Sequence, residues 1–328
     1  MSRLSRILVT TAALVALTMI SVDFVRSVEA DERRVPAPRV APGFAIFAKA
    51  MGIPDYRAGV PVLTYHGVAG DRGLYTVSPQ HFAQQLAMLR GAGFHSVSLA
   101  QVEAVRAGEA VVLPPRPILL TFDDGVGSAW TAADPILARY GFRAAMFVIT
   151  SRIAHDRASY YLTSGQLRAM RDSGRWEIGS HTHNQHVLAA LPGRRSGPAL
   201  NNRVLLASGR PESFRHWRTR VGRDLDISRR TLSERLGVTA RAFAYPFSAT
   251  SESTNDPRIS SELDALVAAR FPLAFTNTRD PHAIVAHWTP RGPLPRLPVD
   301  ARTTAVELLT RLRVATEDAA VVLSVSSA

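Results

Sequence analysis

Two short segments bring together side chains that could bind a metal ion and act on water. Asp123 and Asp124 lie side by side at the end of an apolar run. His181, His183 and His186 fall within six residues of one another after a second such run. Carboxylate and imidazole groups, with one coordination position left open to water, are the ligands of catalytic zinc sites. A second carboxylate beside a ligand can act as a base, so the two segments predict a metal-dependent hydrolase.

Both segments belong to a repeating pattern of short apolar runs and helical segments. The predicted strands are 61–65, 95–99, 118–122, 145–149, 176–180, 242–245 and 273–276. The predicted helices include 79–91, 163–173 and 228–236. Strand and helix alternating this often indicate a parallel sheet or a β/α barrel.

The ends of the predicted strands carry further candidates. In a β/α barrel the working residues lie where the strands end, on one face of the barrel. His66 follows the first predicted strand, and Tyr245 ends a later one. Each residue alone is more often structural, because a buried histidine usually serves in a hydrogen bond and a Tyr-Pro pair usually forms a turn. Their convergence with the aspartates and histidines on one rim favours a catalytic site.

Two segments do not follow the alternation. Residues 31–58 contain Pro36, Pro38 and Pro42 and are predicted to be a linker. Residues 189–226 are rich in Arg, Pro and Gly and lack a clean period. We predict a long excursion on the active-site side that could contain a short helix, and a solvated surface insertion fits the same pattern.

The composition restricts the chemistry. The 328 residues contain no cysteine, so a metal site must use His, Asp and Glu, and a thiolate nucleophile is excluded. The net charge is +12, but the basic residues are scattered and no nucleic-acid motif accompanies them. We therefore expect no nucleic-acid partner and attribute the charge to overall composition.

The N-terminus predicts export. Arg3 and Arg6 precede an apolar segment, residues 7–20, in the order typical of an export signal. The apolar region could extend to Val25, which is close to the length needed to span a bilayer. Residues 1–30 are therefore predicted to be either a cleaved signal peptide or a membrane anchor. The rest of the chain is expected outside, extracellular or anchored, with the membrane as a partner if the segment stays uncleaved.

The motifs, taken in order, resemble those of the NodB-homology polysaccharide deacetylases, carbohydrate esterase family four. The Thr-Phe-Asp-Asp-Gly run at 121–125 is similar to that family's first motif, and the His-Thr pair at 181–182 to its second. The resemblance implies a distorted, incomplete (β/α) barrel of about seven strands. It implies a single deacetylase domain at 59–315, followed by a tail at 316–328.

One spacing departs from the family's usual second motif, in which the two ligand histidines are four residues apart. Here Gln185 stands at that position, and His186 follows five residues after His181. The longer spacing resembles the exported deacetylases of poly-β-1,6-N-acetylglucosamine, as does the Leu-Thr-Tyr-His-Gly segment at 63–67. The match to this branch implies a ligand set for a divalent metal, with Zn²⁺ as the expected ion: Asp124, His181 and His186. His183 remains the competitor for the second imidazole position.

The resemblance also implies a role for each remaining candidate. Asp123 would be the base toward water, His66 the acid toward the leaving amine, and the backbone N–H of Tyr245 a donor to the oxyanion. Arg296 could orient Asp123, although an arginine flanked by prolines more often lies on the surface. Trp288 could stack on a sugar ring or simply pack in the core.

The implied function is removal of N-acetyl groups from an extracellular N-acetylglucosamine polysaccharide. The implied partners are the acetylated glycan and an exopolysaccharide synthesis machinery. Peptidoglycan and chitin-like oligomers are the alternative substrates. A non-catalytic glycan-binding module is the alternative from another class of protein.

Overall fold

The computed structural model describes residues 34–55, 59–70, 73–155, 159–193, 195–280 and 292–326, with side chains to residue 317. The predicted export segment, residues 1–30, and Trp288 lie outside the described residues. The chain divides into a short unit, residues 1–36, and a compact unit, residues 37–328, which carries every element named below. Within the described part, no helix is both long enough and apolar enough to cross a membrane.

Seven parallel strands close into a barrel. In chain order they are β1 (Val62–Tyr65), β5 (Pro117–Phe122), β6 (Ala144–Val148), β7 (Trp176–Ser180), β10 (Ala242–Ala244), β11 (Leu273–Asn277) and β12 (Leu294–Pro298). Each strand pairs with the next in that order, and β1 closes the ring by pairing with both β5 and β12. The predicted (β/α) barrel of about seven strands is confirmed.

Shorter strands lie outside the ring. Strand β4 (His95–Ser96) pairs with β5, β2 (Gly67–Val68) pairs with β3 (Thr76–Val77), and β8 (Leu188–Leu191) forms an antiparallel hairpin with β9 (Arg195–Pro198). The hairpin follows directly after the histidine cluster of the sequence, so it begins the excursion predicted at 189–226.

Helices fill most connections between the barrel strands. They are α1 (Gly43–Ala50), α2 (Pro79–Gly91), α3 (Leu99–Arg106), α4 (Asp134–Tyr140), α5 (Ser164–Asp172), α6 (Phe214–Leu236), α7 (Pro257–Ala268) and α8 (Ala305–Ser326). A hydroxyl caps the N-terminus of several of them by accepting a backbone N–H, as Ser78 does for α2, Ser98 for α3 and Thr163 for α5. The predicted helices at 79–91 and 163–173 therefore begin where the sequence signals place them.

The structure departs from the sequence reading in three places. The segment predicted as a linker, 31–58, contains α1, which packs against α2. Helix α6 begins at Phe214 rather than at 228, because Ser213 caps it. Its buried residues Trp217, Val221 and Leu225 recur every four positions, a helical period that seven arginines obscure. Strand β12 was not predicted at all, since Pro295 and Pro298 lower the strand signal.

The barrel interior is apolar below the rim. The rings of Phe147 and Phe275 lie 5.5 Å apart, and Leu119, Ala145 and Leu273 belong to the same buried cluster. Phe147 also lies beneath the guanidinium of Arg296. The top of the core therefore supports the polar residues at the strand ends.

The core leaves no room for a side chain at Gly179 of β7. A Cβ at that position would lie 2.6 Å from the ring of Phe147 and 2.8 Å from the carbonyl oxygen of Ala242. We expect Gly179→Ala to lower the free energy of unfolding by about 1–3 kcal/mol, because the ring or a barrel strand must move. Chemical denaturation measures the change. Gly165→Ala, whose Cβ would meet its nearest atom at 3.8 Å, is the control; equal stability of the two variants would contradict the prediction.

Candidate active site

The candidate site lies where β1, β5 and β7 end. His66 follows β1, Asp123 and Asp124 follow β5, and His181 follows β7. Asp124 has a φ of 73°, a left-handed conformation that is uncommon for residues other than glycine. Such backbone strain at a functional position is typical of sites held by the surrounding structure. The strand ends thus gather these residues on one rim, as the sequence predicts.

Asp124, His181 and His186 form a cluster that could hold a metal ion. The Nε2 atoms of His181 and His186 lie 3.5 and 3.4 Å from Oδ1 of Asp124. The Nδ1 of His181 lies 2.8 Å from the carbonyl oxygen of Ala244. A carbonyl can only accept, so Nδ1 carries the proton and the Nε2 lone pair points into the cluster.

The cluster fits a divalent cation. Oδ1 of Asp124 is buried and has no hydrogen-bond partner among the described residues. A carboxylate oxygen that faces an imidazole lone pair is unfavourable unless a cation lies between them. Two imidazoles and one carboxylate also match the donors that zinc prefers.

Burial controls the ionisation of the three candidate ligands. It lowers the pKa of His181 to about 3 and also lowers the pKa of His186, so both imidazoles are neutral at pH 7. Burial raises the pKa of Asp124 to about 6, and a bound cation would oppose that rise. Neutral histidine is the form that binds metal ions, so the electrostatics agree with the geometry.

His183 does not join this cluster. Its Nδ1 lies 2.9 Å from Oγ1 of Thr150, and its backbone N–H donates to Asp224. The sequence left His183 and His186 as competitors for one ligand position, and the structure brings His186 to Asp124 and His181 instead.

Asp123 is held by a buried arginine. Two nitrogens of Arg296 donate to the two carboxylate oxygens of Asp123, at 2.8 and 2.7 Å. Arg296 is fully buried, bonds Oδ1 of Asn277 at 3.0 Å and lies 5.5 Å above the ring of Phe147. Burial has the largest effect on the pKa of Asp123 and would raise it, but Arg296, together with His181 and His66, outweighs burial and holds that pKa at about 2. Asp123 is therefore ionised and fixed in orientation.

His66 faces the same cleft as Asp123. The cleft encloses about 810 Å³ and is also lined by Asp124, His181 and His186. The ring of His66 lies 5.1 Å from the ring of Tyr75, and no described residue forms a hydrogen bond with its buried Nδ1. A histidine with a free ring nitrogen in this cleft can exchange a proton with a bound molecule.

The structure corrects the expectation for the backbone of Tyr245. Its N–H donates to the carbonyl oxygen of Phe275 at 2.9 Å, as part of the pairing between β10 and β11. That N–H is therefore not available to an oxyanion. The phenol is equally engaged, since it donates to Oδ1 of Asp264 at 2.7 Å. In this structure Tyr245 supports the wall of the site.

Exposed aromatic residues at the rim were not found from the sequence. Tyr75 is 57% exposed and Phe247 is 46% exposed, and both line the cleft. The ring of Phe247 lies 4.3 Å from the ring of His186, and its φ of 56° is unusual for a bulky residue. The only sequence signal for Phe247 is its place directly after the Tyr-Pro pair.

The chain is similar to known deacetylases in both sequence and fold. A family model described as polysaccharide deacetylase matches residues 110–264. The poly-beta-1,6-N-acetyl-D-glucosamine N-deacetylase of Escherichia coli (strain K12) is 28% identical over 58% of this chain and 30% of its own length. The Staphylococcus epidermidis protein of the same name is 27% identical over 53% of this chain and 54% of its own length. The matched region thus spans less than two thirds of these relatives.

Solved structures show the same barrel. The BpsB deacetylase domain of Bordetella bronchiseptica is 29% identical, with a TM-score of 0.60 over 76% of this chain and 98% of that domain. A de-N-acetylase from Aggregatibacter actinomycetemcomitans has a TM-score of 0.65 over 77% of this chain and 99% of that one, at 22% identity. The second likeness establishes the fold alone.

Proposed function

We propose that this chain is a polysaccharide deacetylase, a metal-dependent hydrolase that removes N-acetyl groups from an N-acetylglucosamine polysaccharide; the family model that matches residues 110–264 and the similarity to named deacetylases support the proposal. The observation that carries the proposal is the cluster of Asp124, His181 and His186 beside an ionised carboxylate, Asp123. A metal site adjacent to a fixed base is the arrangement that amide hydrolysis by water needs.

The chain supplies the residues for both proton transfers. When bound by Asp124, His181 and His186, a divalent cation would supply Lewis-acid chemistry, polarising the amide carbonyl and acidifying water. Asp123, held ionised by Arg296, accepts a proton from water as the water oxygen bonds to the carbonyl carbon. His66 donates a proton to the amide nitrogen as the C–N bond breaks. The products are acetate and a free glucosamine amine.

Poly-β-1,6-N-acetylglucosamine is the substrate that we favour. The curated relatives named above carry that polymer in their names, and the spacing of five residues between His181 and His186 is the feature that sets this chain apart from the family's usual motif. The open cleft with aromatic residues at its rim suits a chain of sugar rings. Peptidoglycan and chitin-like oligomers are the alternative substrates.

Acetate release tests the proposal. The purified protein is incubated with poly-β-1,6-N-acetylglucosamine oligomers, chitin oligomers and peptidoglycan fragments, each with and without a chelator. We expect release from the first substrate, loss of release with chelator, and recovery when Zn²⁺ is added back. Release that the chelator does not affect would contradict the metal site. Release only from chitin oligomers or peptidoglycan fragments would contradict the choice of poly-β-1,6-N-acetylglucosamine as the substrate.

Replacement of Arg296 tests how the base is tuned. Methionine removes both the charge and the two donors, so burial, no longer opposed by that cation, should raise the pKa of Asp123 from about 2 to above its ordinary value. Because the base must be ionised, kcat/KM of Arg296→Met should fall toward low pH within the range from about 4 to 8, where the protein is expected to be folded and where the base of the wild type is already ionised. The rates of both proteins are measured across that range. Arg218→Met, at an exposed arginine on α6, is the control; identical pH profiles of Arg296→Met and the wild type would refute the role.

We propose, finally, that the protein acts outside the cytoplasmic membrane, beside an exopolysaccharide synthesis machinery. Arg3, Arg6 and the apolar residues 7–20 support export. The names of the relatives support the link to the polymer. Location is tested by whether protease added to whole cells cleaves the full chain. The partner is tested separately, by whether the protein co-purifies with the polymer-synthesising membrane fraction.

A further inference from the structure

The loop between the two candidate ligand histidines is bound by one buried carboxylate on α6. Oδ2 of Asp224 accepts the backbone N–H of His183 at 2.8 Å, and Oδ1 accepts the backbone N–H of Asn184 at 2.7 Å. Asp224 is 5% exposed, so solvent does not compete strongly for these two bonds. A single side chain thus fixes two successive peptide groups within the loop.

Gln185 joins the same arrangement. Its side-chain oxygen accepts a hydrogen bond from Arg220 of α6, and its amide nitrogen lies 3.5 Å from Oδ1 of Asp224. Its own backbone N–H donates to Oγ1 of Thr182 at 3.2 Å. Gln185 occupies the position of the usual second histidine in the motif, and here its side chain is buried toward α6 instead of reaching the metal cluster.

Arg220 is in turn fixed by the excursion that precedes α6. It bonds the carboxylate of Glu212, which is fully buried, and the carbonyl oxygens of Ala199 and Asn202 at 3.1 and 3.0 Å. Residues 199–212 therefore hold Arg220, and Arg220 holds Gln185. This chain of contacts gives the excursion a direct connection to the loop.

The start of the loop is supported from the same helix. Oγ of Ser228 on α6 lies 2.6 Å from Oγ of Ser180, and Ser180 accepts the N–H of Thr182 at 3.2 Å. Thr182 has a φ of 71°, so the backbone turns sharply directly after His181. Helix α6 thus contacts the loop on both sides of that turn.

The position of His186 depends on this loop. His181 is anchored by its bond to the Ala244 carbonyl, whereas His186 keeps 23% of its side chain exposed and contacts the exposed ring of Phe247 at a tilt of 39°. The backbone that leads into His186 is therefore what sets its distance to Asp124. Outer partners that fix a ligand typically change metal affinity by about 10- to 100-fold when they are removed.

We propose that Asp224 and Arg220 are positioning residues that hold the 182–186 loop so that His186 can act as a ligand. The excursion at 189–226 would then serve to brace a histidine pair spaced five residues apart. This inference rests on the ligand set of the proposed function, and it concerns the affinity for the metal rather than the choice of glycan.

Binding of Co²⁺ to the metal-free full-length protein tests the proposal, since it needs no substrate. Cobalt affinity and the intensity of its visible absorption are measured by titration, and Zn²⁺ affinity by competition. We expect Asp224→Ala and Gln185→Ala to bind Co²⁺ about 10- to 100-fold more weakly, and Asp224→Asn to fall between them and the wild type because it keeps one acceptor. Asp226→Ala is the matched control, two residues along α6, 53% exposed and paired only with Arg270 among the described residues.

The outcomes separate this inference from the proposed function. Unchanged cobalt affinity and spectrum in Asp224→Ala and Gln185→Ala, with tight binding by the wild type, would overturn the positioning role and leave the ligand set intact. If Asp224→Ala does not fold, Gln185→Ala, which leaves α6 unaltered, decides the question. Failure of the wild type to bind cobalt would overturn the ligand set itself. Thermal unfolding of each metal-free variant distinguishes weaker binding from general loss of structure.

Discussion

Replacing Asp123 with asparagine is expected to lower the rate of acetate release by about 100- to 10,000-fold while the protein still binds its metal. The side chain of Asp123 is nearly isosteric with asparagine, and its contacts are to Arg296 rather than to the ligand cluster. Asparagine cannot accept a proton at neutral pH, and it also replaces one acceptor of the buried Arg296 pair with a donor, so thermal unfolding of the variant is measured to separate loss of the base from loss of that pair. Acetate release at saturating substrate, with metal content measured on the same sample, checks both parts of the prediction.

A double-mutant cycle provides the control for this result. If Arg296 acts on catalysis through Asp123, Arg296→Lys should cost activity in the wild type and cost almost nothing further in Asp123→Asn. If the losses of activity in the two single variants add up in the double variant, Arg296 acts independently of Asp123. Full activity in Asp123→Asn would remove Asp123 from the role of base, whatever the metal content.

The chemistry of the site could be predicted because short motifs specify it. Asp123, Asp124 and His181 directly follow apolar runs that form buried strands, and parallel strands bring their ends to one rim. Alternating strands and helices likewise predict the barrel. These signals are local in sequence. The parallel strands of the barrel then bring the residues at their ends close together.

The supporting residues have no local sequence signal. Arg296 is 173 positions from Asp123 and lies in a strand that two prolines conceal, so only the family resemblance suggested that it orients Asp123; in the structure it is the buried partner of that carboxylate. The N–H of Tyr245 is engaged because β10 pairs with β11, which depends on the register of two strands. Asp224 lies on a helix whose arginines mask its apolar period. Each of these facts follows from tertiary packing.

Replacing His186 with alanine is expected to weaken metal binding by at least about 100-fold, whereas His183→Ala should leave it within about threefold of the wild type. The Nε2 of His186 lies 3.4 Å from Asp124, and the ring of His183 bonds Thr150 instead. Loss of a direct ligand removes one of the three donors found among the described residues, so affinity and chelator resistance should both fall. Competition with a chromophoric chelator measures each affinity.

His183→Ala is a closely matched control because the contact that supports the loop is made by the backbone. The N–H that donates to Asp224 is kept in the alanine variant, and only the ring and its bond to Thr150 are lost. The two variants therefore differ in which imidazole is removed, while the hydrogen bonds of the loop backbone are the same. If His183→Ala loses the metal and His186→Ala retains it, the ligand assignment is reversed. The contacts between α6 and the loop would then have to position His183, and not His186, beside Asp124 and His181.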